Sequence, residues 1–213
     1  MAARTYALQK KLESLDEPFY LGSSVLAQVY GGTHREDRRS RAAVDATRGE
    51  VLTYELAPIE AYFHSSCGGR TEAGPAALNR DLPYLKSVDC PCGGIPQSRW
   101  SATLQGRELE SVFHEGGAPR VESRTATGRA RRIRLGGRSM DAVLFRQKLS
   151  YDRVKSLWFD IEPTQGGWHL SGRGYGHGAG LCQWGSKVLA GQGWDYRKIL
   201  SHYYPGTELQ PLY

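Results

Sequence analysis

Gly172-Arg173-Gly174-Tyr175-Gly176-His177-Gly178-Ala179-Gly180, with glycine at every second position, is the stretch on which the reading of the chain turns. Residues 168–171 before it read as a strand and residues 181–189 after it as a helix, so the glycines lie at a strand-to-helix turn. A dinucleotide-binding turn would need a third glycine where Ala179 stands, counting from Gly176, and no Gly-Lys-Ser/Thr follows to make a Walker loop. Alternating glycines strip side chains from one edge of an extended chain, while Arg173, Tyr175 and His177 project from the other. Two readings follow. The bare edge is a cleft for an elongated polymer, or the stretch is a strand corner packed against the protein's own backbone, with His177 as a structural histidine.

Working outward, residues 158–161 and 168–171 form a hairpin-like pair across Gly166-Gly167, and a last helix over residues 196–202 stops at Pro205-Gly206. Toward the N-terminus, residues 2–13 are good helix formers with no capping residue before them. Residues 20–30 read as a strand, 36–47 as a short surface helix closed by Gly49, and 51–54 with 59–63 as a hairpin across Ala57-Pro58. A long Gly/Ser/Pro-rich loop spans 64–83, and 84–88 reads as a strand. Between 99 and 138 the composition shifts to a strand at 100–104, a helix at 109–113 and arginine-rich alternation, which reads as an inserted subdomain. Ser139 is the expected cap of a helix over 140–149. The expected fold class is α+β, one mixed domain over 1–213 with the small insert 99–138 flanking a cleft.

The balance of 28 Lys+Arg against 22 Asp+Glu gives +6 and a basic pI of about 9.2, while 39% hydrophobic residues suffice for a core and argue against global disorder. A mean hydropathy of −0.52 with no long apolar run excludes a membrane span. Arg120, Arg124, Arg129, Arg131, Arg132, Arg134 and Arg138 fall in the insert, and Arg132-Ile133-Arg134-Leu135 alternates as a strand with one face in water. Attraction to an anionic polymer is the functional alternative. No nucleic-acid motif accompanies these arginines, so nucleic acid is not an expected partner. Met1-Ala2-Ala3-Arg4-Thr5-Tyr6 lacks a basic region followed by an apolar stretch, so the expectation from these residues is no secretory signal.

Residues 174–185, Gly-Tyr-Gly-His-Gly-Ala-Gly-Leu-Cys-Gln-Trp-Gly, followed by His202-Tyr203-Tyr204-Pro205-Gly206-Thr207, resemble the signature of the SpoIID/LytB sporulation family. Ala2-Ala3-Arg4-Thr5-Tyr6-Ala7, Gln28-Val29-Tyr30-Gly31-Gly32 and the stretch 61–72 around His64-Ser65-Ser66-Cys67-Gly68-Gly69 resemble its other landmarks in the same order. The resemblance implies a peptidoglycan lytic transglycosylase acting on glycan strands stripped of their peptides, with a cell-envelope location for the full-length protein. Arg4, Arg173, Tyr175, His177 and Gln183 are the substrate-binding residues it implies. The chemistry needs a carboxylic acid with a raised pKa, which protonates the leaving oxygen and then accepts a proton as the anhydro ring closes. In the family a glutamate upstream of the Ala-Ala-Arg-Thr-Tyr-Ala helix has that role, so the expectation is that no catalytic residue stands in this chain. Glu60, Glu72, Glu108, Glu110, Glu115 and Glu122 are expected to be solvated surface charges. The alternative is a non-catalytic amidase enhancer that binds cell wall and has a cell-wall amidase as partner.

Four cysteines remain: Cys67, Cys90, Cys92 and Cys182. His64-x-x-Cys67 with Cys90-x-Cys92 resembles two half-sites for zinc, which some family members bind near this loop. The expected metal ligands are therefore His64, Cys67, Cys90 and Cys92, with a structural role, the glycan chemistry requiring no cofactor. Disulfides and unpaired thiols are the alternatives, and Cys182 reads as a small buried residue.

Overall fold

The computed structural model describes residues 1–22, 34 and 36–212. The strand expected over 20–30 and the Gln28–Gly32 landmark lie largely or wholly outside the described residues. Helices and short antiparallel strands mix along the chain, giving the expected α+β class, and no described helix is long and apolar enough to cross a membrane.

Helix α1 (Ala2–Glu13) starts without a side-chain cap. It is held by its buried face: Tyr6 packs into the core, and Thr5 Oγ1 accepts the Leu52 amide at 3.0 Å. Helix α2 (Arg38–Ala46) is capped by Asp37, which accepts from the amides of Arg39 and Ser40. Strand β1 (Glu50–Tyr54) pairs with β2 (Ala57–Pro58) and, from the far end of the chain, with β11 (Glu208–Pro211). The hairpin therefore turns at Glu55 and Leu56, both with positive φ, and Ala57-Pro58 is its second arm rather than its turn. Residues 59–63 do not form the expected second strand. Phe63 instead opens β3 (Phe63–His64), which pairs in parallel with β10 (Leu181–Cys182) over two residues. The expected strand at 84–88 is a turn and irregular backbone, and the long loop holds a short helix, α3 (Gly74–Leu78).

From residue 99 the structure is more regular. Strands β4 (Arg99–Leu104), β8 (Phe159–Thr164) and β9 (Gly167–Arg173) form an antiparallel sheet in the order β4-β9-β8. Strands β5 (Pro119–Arg124), β6 (Ala130–Leu135) and β7 (Arg138–Asp141) form another. Helix α4 (Gly106–Phe113) and helix α5 (Ala142–Leu149) pack with them. Met140 belongs to β7, so α5 starts later than expected and is capped by Asp141, whose carboxylate accepts the Val143 amide at 2.7 Å. Ile133 and Leu135 are fully buried while Arg132 is exposed, as the alternation predicts.

Two hydrophobic clusters result. One gathers Tyr6, Leu52, Ile59, Leu85, Tyr203, Tyr204 and all four cysteines. The other runs from Trp100 to Leu170 and takes in α5, β8 and β9 as well as residues 99–138. Helices α6 (Gln183–Gly191) and α7 (Tyr196–Tyr203) close the first cluster.

Candidate functional site

The glycine stretch is a loop between β9 and β10, and its backbone is already engaged. Tyr175 exchanges both backbone hydrogen bonds with Ser66, at 3.0 and 2.6 Å, and the Gly176 amide donates to Lys155 O. The Glu72 amide donates to Gly178 O, and the Leu181 amide to Tyr62 O. The glycine edge is filled by the protein itself. A Cβ on Gly176, at φ +120°, would fall 2.6 Å from His64 Cβ, and one on Gly180 would overlap the Tyr62 carbonyl. Gly178 packs on the Arg129 guanidinium. Of the two readings, this edge takes the close-packed one, and a polymer lying along it is ruled out.

The opposite edge is different. Arg173 is exposed and lies over the Trp158 ring, 3.6 Å from its centroid. The Tyr175 hydroxyl donates to Asp152 Oδ1 at 3.1 Å, and Lys155 Nζ is 5.5 Å from the centroid of the Tyr175 ring. Arg146, buried on α5, fixes the segment that presents these partners by donating to the carbonyls of Val154 and Lys155, both at 2.7 Å. A half-exposed surface of two aromatic rings, two cations and one carboxylate results, suited to a ring bearing hydroxyls and an anionic group. Asp152, Lys155 and Trp158 were not among the expected site residues. The sequence marks Trp158 only as a strand residue, because its contact with Arg173, 15 positions away, arises on folding.

His177 is held on both nitrogens: Nε2–H donates to Phe63 O at 3.0 Å and Nδ1 accepts the Ala179 amide at 3.1 Å. Burial pushes its pKa down to about 4, with Arg146 and Arg129 acting in the same direction. Beside it His64 donates Nδ1–H to Ala179 O at 3.0 Å, and its buried Nε2 has no partner among the described residues. Desolvation, then His177, holds His64 well below the usual histidine range, so both rings are neutral. His177 thus orients backbone. Arg4 goes elsewhere: it donates to the carbonyls of Thr47, Val44 (3.0 Å) and Glu50 (3.1 Å), tying the end of α2 to β1. Gln183 is exposed on the first residue of α6.

Two glutamates expected in solvent are buried. Glu60, on the loop before β3, accepts the Tyr62 hydroxyl at 2.6 Å and lies 3.8 Å from Lys10 and from Arg80. Glu72 is 2% exposed and accepts from Thr125 (2.6 Å), Thr127 (2.5 Å) and the Ala73 amide. Arg129, 3% exposed, is 3.8 Å from Glu72 and donates to Cys67 O and Arg70 O, both at 2.8 Å. It is the exception to the solvated reading of the arginine run. These residues tie the two hydrophobic clusters together.

The four thiols of Cys67, Cys90, Cys92 and Cys182 are buried and lie within 4.8 Å of one another. A zinc tetrathiolate with Zn–S of about 2.3 Å has sulfur–sulfur edges of about 3.8 Å, so the group fits a metal ion with small adjustments. His64, expected as a ligand, is not in this group, because its ring is turned onto the glycine loop, and Cys182 stands in its place. Within the cluster Cys92 is held well below the usual thiol range by hydrogen bonds with Cys182, Cys67 and Cys90, and Cys67 well above it by hydrogen bonds with Cys182, Cys90 and Cys92. A cavity of about 410 Å³ lined by Leu52, Arg197, Leu200 and Thr207 holds none of these residues.

Comparison with known proteins finds a family model described as stage II sporulation protein over residues 1–54. An uncharacterized protein of Brachyspira hyodysenteriae is 32% identical over 98% of this chain and 59% of its own length. Stage II sporulation protein D of Bacillus subtilis is 30% identical over 98% of this chain and 66% of its own. A Bacillus subtilis protein named amidase enhancer is 26% identical over 98% of the chain and 37% of its own length. The chain thus spans less than two thirds of each of these relatives.

Proposed function

Because the chain belongs to the SpoIID family of stage II sporulation proteins, we propose that it works in the cell envelope by holding glycan strands of peptidoglycan. The observation that carries this reading is the face beside the glycine loop, where exposed Arg173 stacks on Trp158 next to Tyr175. Peptide-free muramic acid presents a sugar ring and a lactyl carboxylate, and these groups match an aromatic ring and a guanidinium. Cleavage of the lytic transglycosylase type adds one proton donor. Glu60 and Glu72 are both buried and engaged in hydrogen bonds, so this chain's share is binding and orientation. In this reading proton transfer belongs to the glutamate that precedes the Ala-Ala-Arg-Thr-Tyr-Ala helix in the family pattern. The chemistry requires no metal, and zinc held by the thiols would brace the loops around the site.

Co-sedimentation with purified cell wall tests the binding, before and after an amidase has stripped the stem peptides. Stripped wall should retain the chain, and Arg173→Ala should release it with its melting temperature unchanged. Equal retention of wild type and variant would refute the assignment of this face. A second reading, enhancement of a cell-wall amidase, is favoured by the name of one relative. Its mark is a faster amidase on addition of the chain, an effect that glycan holding alone does not produce.

A further inference from the structure

We infer that Cys182, not His64, completes the metal site, so that the bound ion is held by four sulfurs and clamps the end of the glycine loop to two other loops. The inference rests on the bracing role proposed above for a metal and is independent of glycan binding. The four cysteines come from three distant places in the sequence, yet their sulfurs converge, with Cys67 and Cys92 only 3.3 Å apart. Convergence of this kind costs packing freedom and leaves four polarisable groups facing one another; a central cation supplies the missing partner.

The surroundings are arranged for thiolates. The amides of Cys67 and Gly185 point at Cys182 Sγ, at 3.4 and 3.3 Å, and the Ser66 hydroxyl donates to Cys92 Sγ at 3.5 Å. The Tyr203 hydroxyl is 3.1 Å from Cys90 Sγ. Such outer donors orient ligands and offset their charge. Zn²⁺ with four thiolates carries 2 − 4 = −2, and binding releases the protons that the thiols hold, with no change of oxidation state. Two further features oppose that buried charge. Cys182 caps α6, placing its sulfur at the positive end of the helix, and the Arg129 guanidinium is anchored on the Cys67 carbonyl. Gly185 belongs to the same design: a side chain there would overlap Tyr203 Oη and Cys90 Sγ, so its glycine lets the first turn of α6 approach the thiols.

The consequence is architectural. Strands β3 and β10 pair through two residues only, Leu181 with Phe63 and Cys182 with His64, a ladder too short to persist alone. An ion binding Cys67 just past β3 and Cys182 at the end of β10 closes the same junction through metal–sulfur coordination, and with it the loop that carries Tyr175 and His177.

The test uses the full chain, purified under reducing conditions without chelator. Zinc analysis should give one ion per chain. Replacement with Co²⁺ should give sulfur-to-cobalt charge transfer and intense d–d bands in the red, where four-sulfur tetrahedral sites absorb. His64→Gln should leave stoichiometry and spectrum unchanged. Cys182→Ser should lose the four-sulfur spectrum, its d–d bands moving to shorter wavelength, or lose the metal. Should Cys182→Ser fail to fold, the wild-type spectrum and His64→Gln still decide. A nitrogen-shifted spectrum in the wild type, a change on His64→Gln, absence of metal from the reduced protein, or two disulfides per chain by mass would each overturn the inference.

Discussion

The two hydrophobic clusters are built by different means. The second, from Trp100 to Leu170, is contiguous in sequence and rests on two three-stranded antiparallel sheets with α4 and α5. Ladders satisfy most of its backbone, so its buried side chains are mainly apolar, with Arg146 donating to the carbonyls of Val154 and Lys155 where the chain leaves the sheets. The first draws on both ends of the chain, from Tyr6 to Tyr204, and its ladders are two to four residues long. Its loops must find a partner for each backbone polar group one at a time. Hence it buries Thr5, Glu60, His64, Thr71 and Glu72, and draws Arg129 in from the neighbouring cluster. A core made of loops needs polar residues as fasteners, and those fasteners are where the candidate site and the thiol cluster lie.

The largest expected effect breaks the fastener shared by the two clusters. Arg129→Met leaves Glu72 buried without its cation and frees the Cys67 and Arg70 carbonyls, so urea unfolding should show a loss of about 3–5 kcal/mol. Adding Glu72→Gln should recover part of it, because the stranded charge is then removed. A loss under about 1 kcal/mol would mean that the bridge holds nothing. Within the second cluster Phe145→Ala should cost a similar amount, about 3–5 kcal/mol, for an unrelated reason: it removes a fully buried ring stacked 5.2 Å from Phe113 and leaves a cavity. The pair sharpens the contrast, since only Arg129→Met should be rescued by a second substitution.

Glycines divide along the same line. Gly176→Ala forces a side chain against His64 at a positive φ and should cost about 2–4 kcal/mol, combining backbone strain with overpacking. Gly166→Ala, in the β8–β9 turn with nothing within 4 Å of the new methyl group among the described residues, should change stability by less than about 0.5 kcal/mol. Thermal melts of the two variants make the comparison, and equal shifts would contradict the packed-edge account.

The same difference explains what could be read from the sequence. Alternation in residues 132–135, the hairpin of β8 and β9, and the helices α1, α4, α6 and α7 are local patterns, and the structure has them close to where those patterns put them. The strand expected at 84–88 failed because its apolar residues serve a loop core: Tyr84 and Leu85 are buried without pairing in a ladder. Glu72 looked like any loop glutamate, and only long-range closure onto Thr125 and Thr127 makes it a buried anchor. Cys67, Cys90 and Cys92 were legible as ligand candidates by spacing. Cys182 was not, because its partners lie at least 90 residues away and a helix start conceals it. The glycine repeat announced that something approaches closely, but not whether that something is a ligand or the protein's own His64, Arg129 and Tyr62.

Acid should act on the loop-built cluster through its neutral histidines. His177 is held at about 4, below its ordinary 6.5, so the folded state binds fewer protons than the unfolded state between those values. Stability should therefore be fully present above about pH 6.5 and fall as the pH drops toward 4, levelling below that. Unfolding of metal-free, reduced protein at several pH values measures the slope, and His177→Gln should flatten it; an unchanged slope would assign the acid response elsewhere. The smallest effect belongs to the surface of the regular cluster. Glu122 receives Arg134, Arg132 and Ser139 on the exposed side of the β5–β6–β7 sheet, and solvent screens all of these contacts. Glu122→Gln should shift the urea midpoint only slightly, and high salt should abolish even that shift. A larger loss would mean that charge pairing, and not the buried Ile133 and Leu135 beneath it, holds the sheet in place.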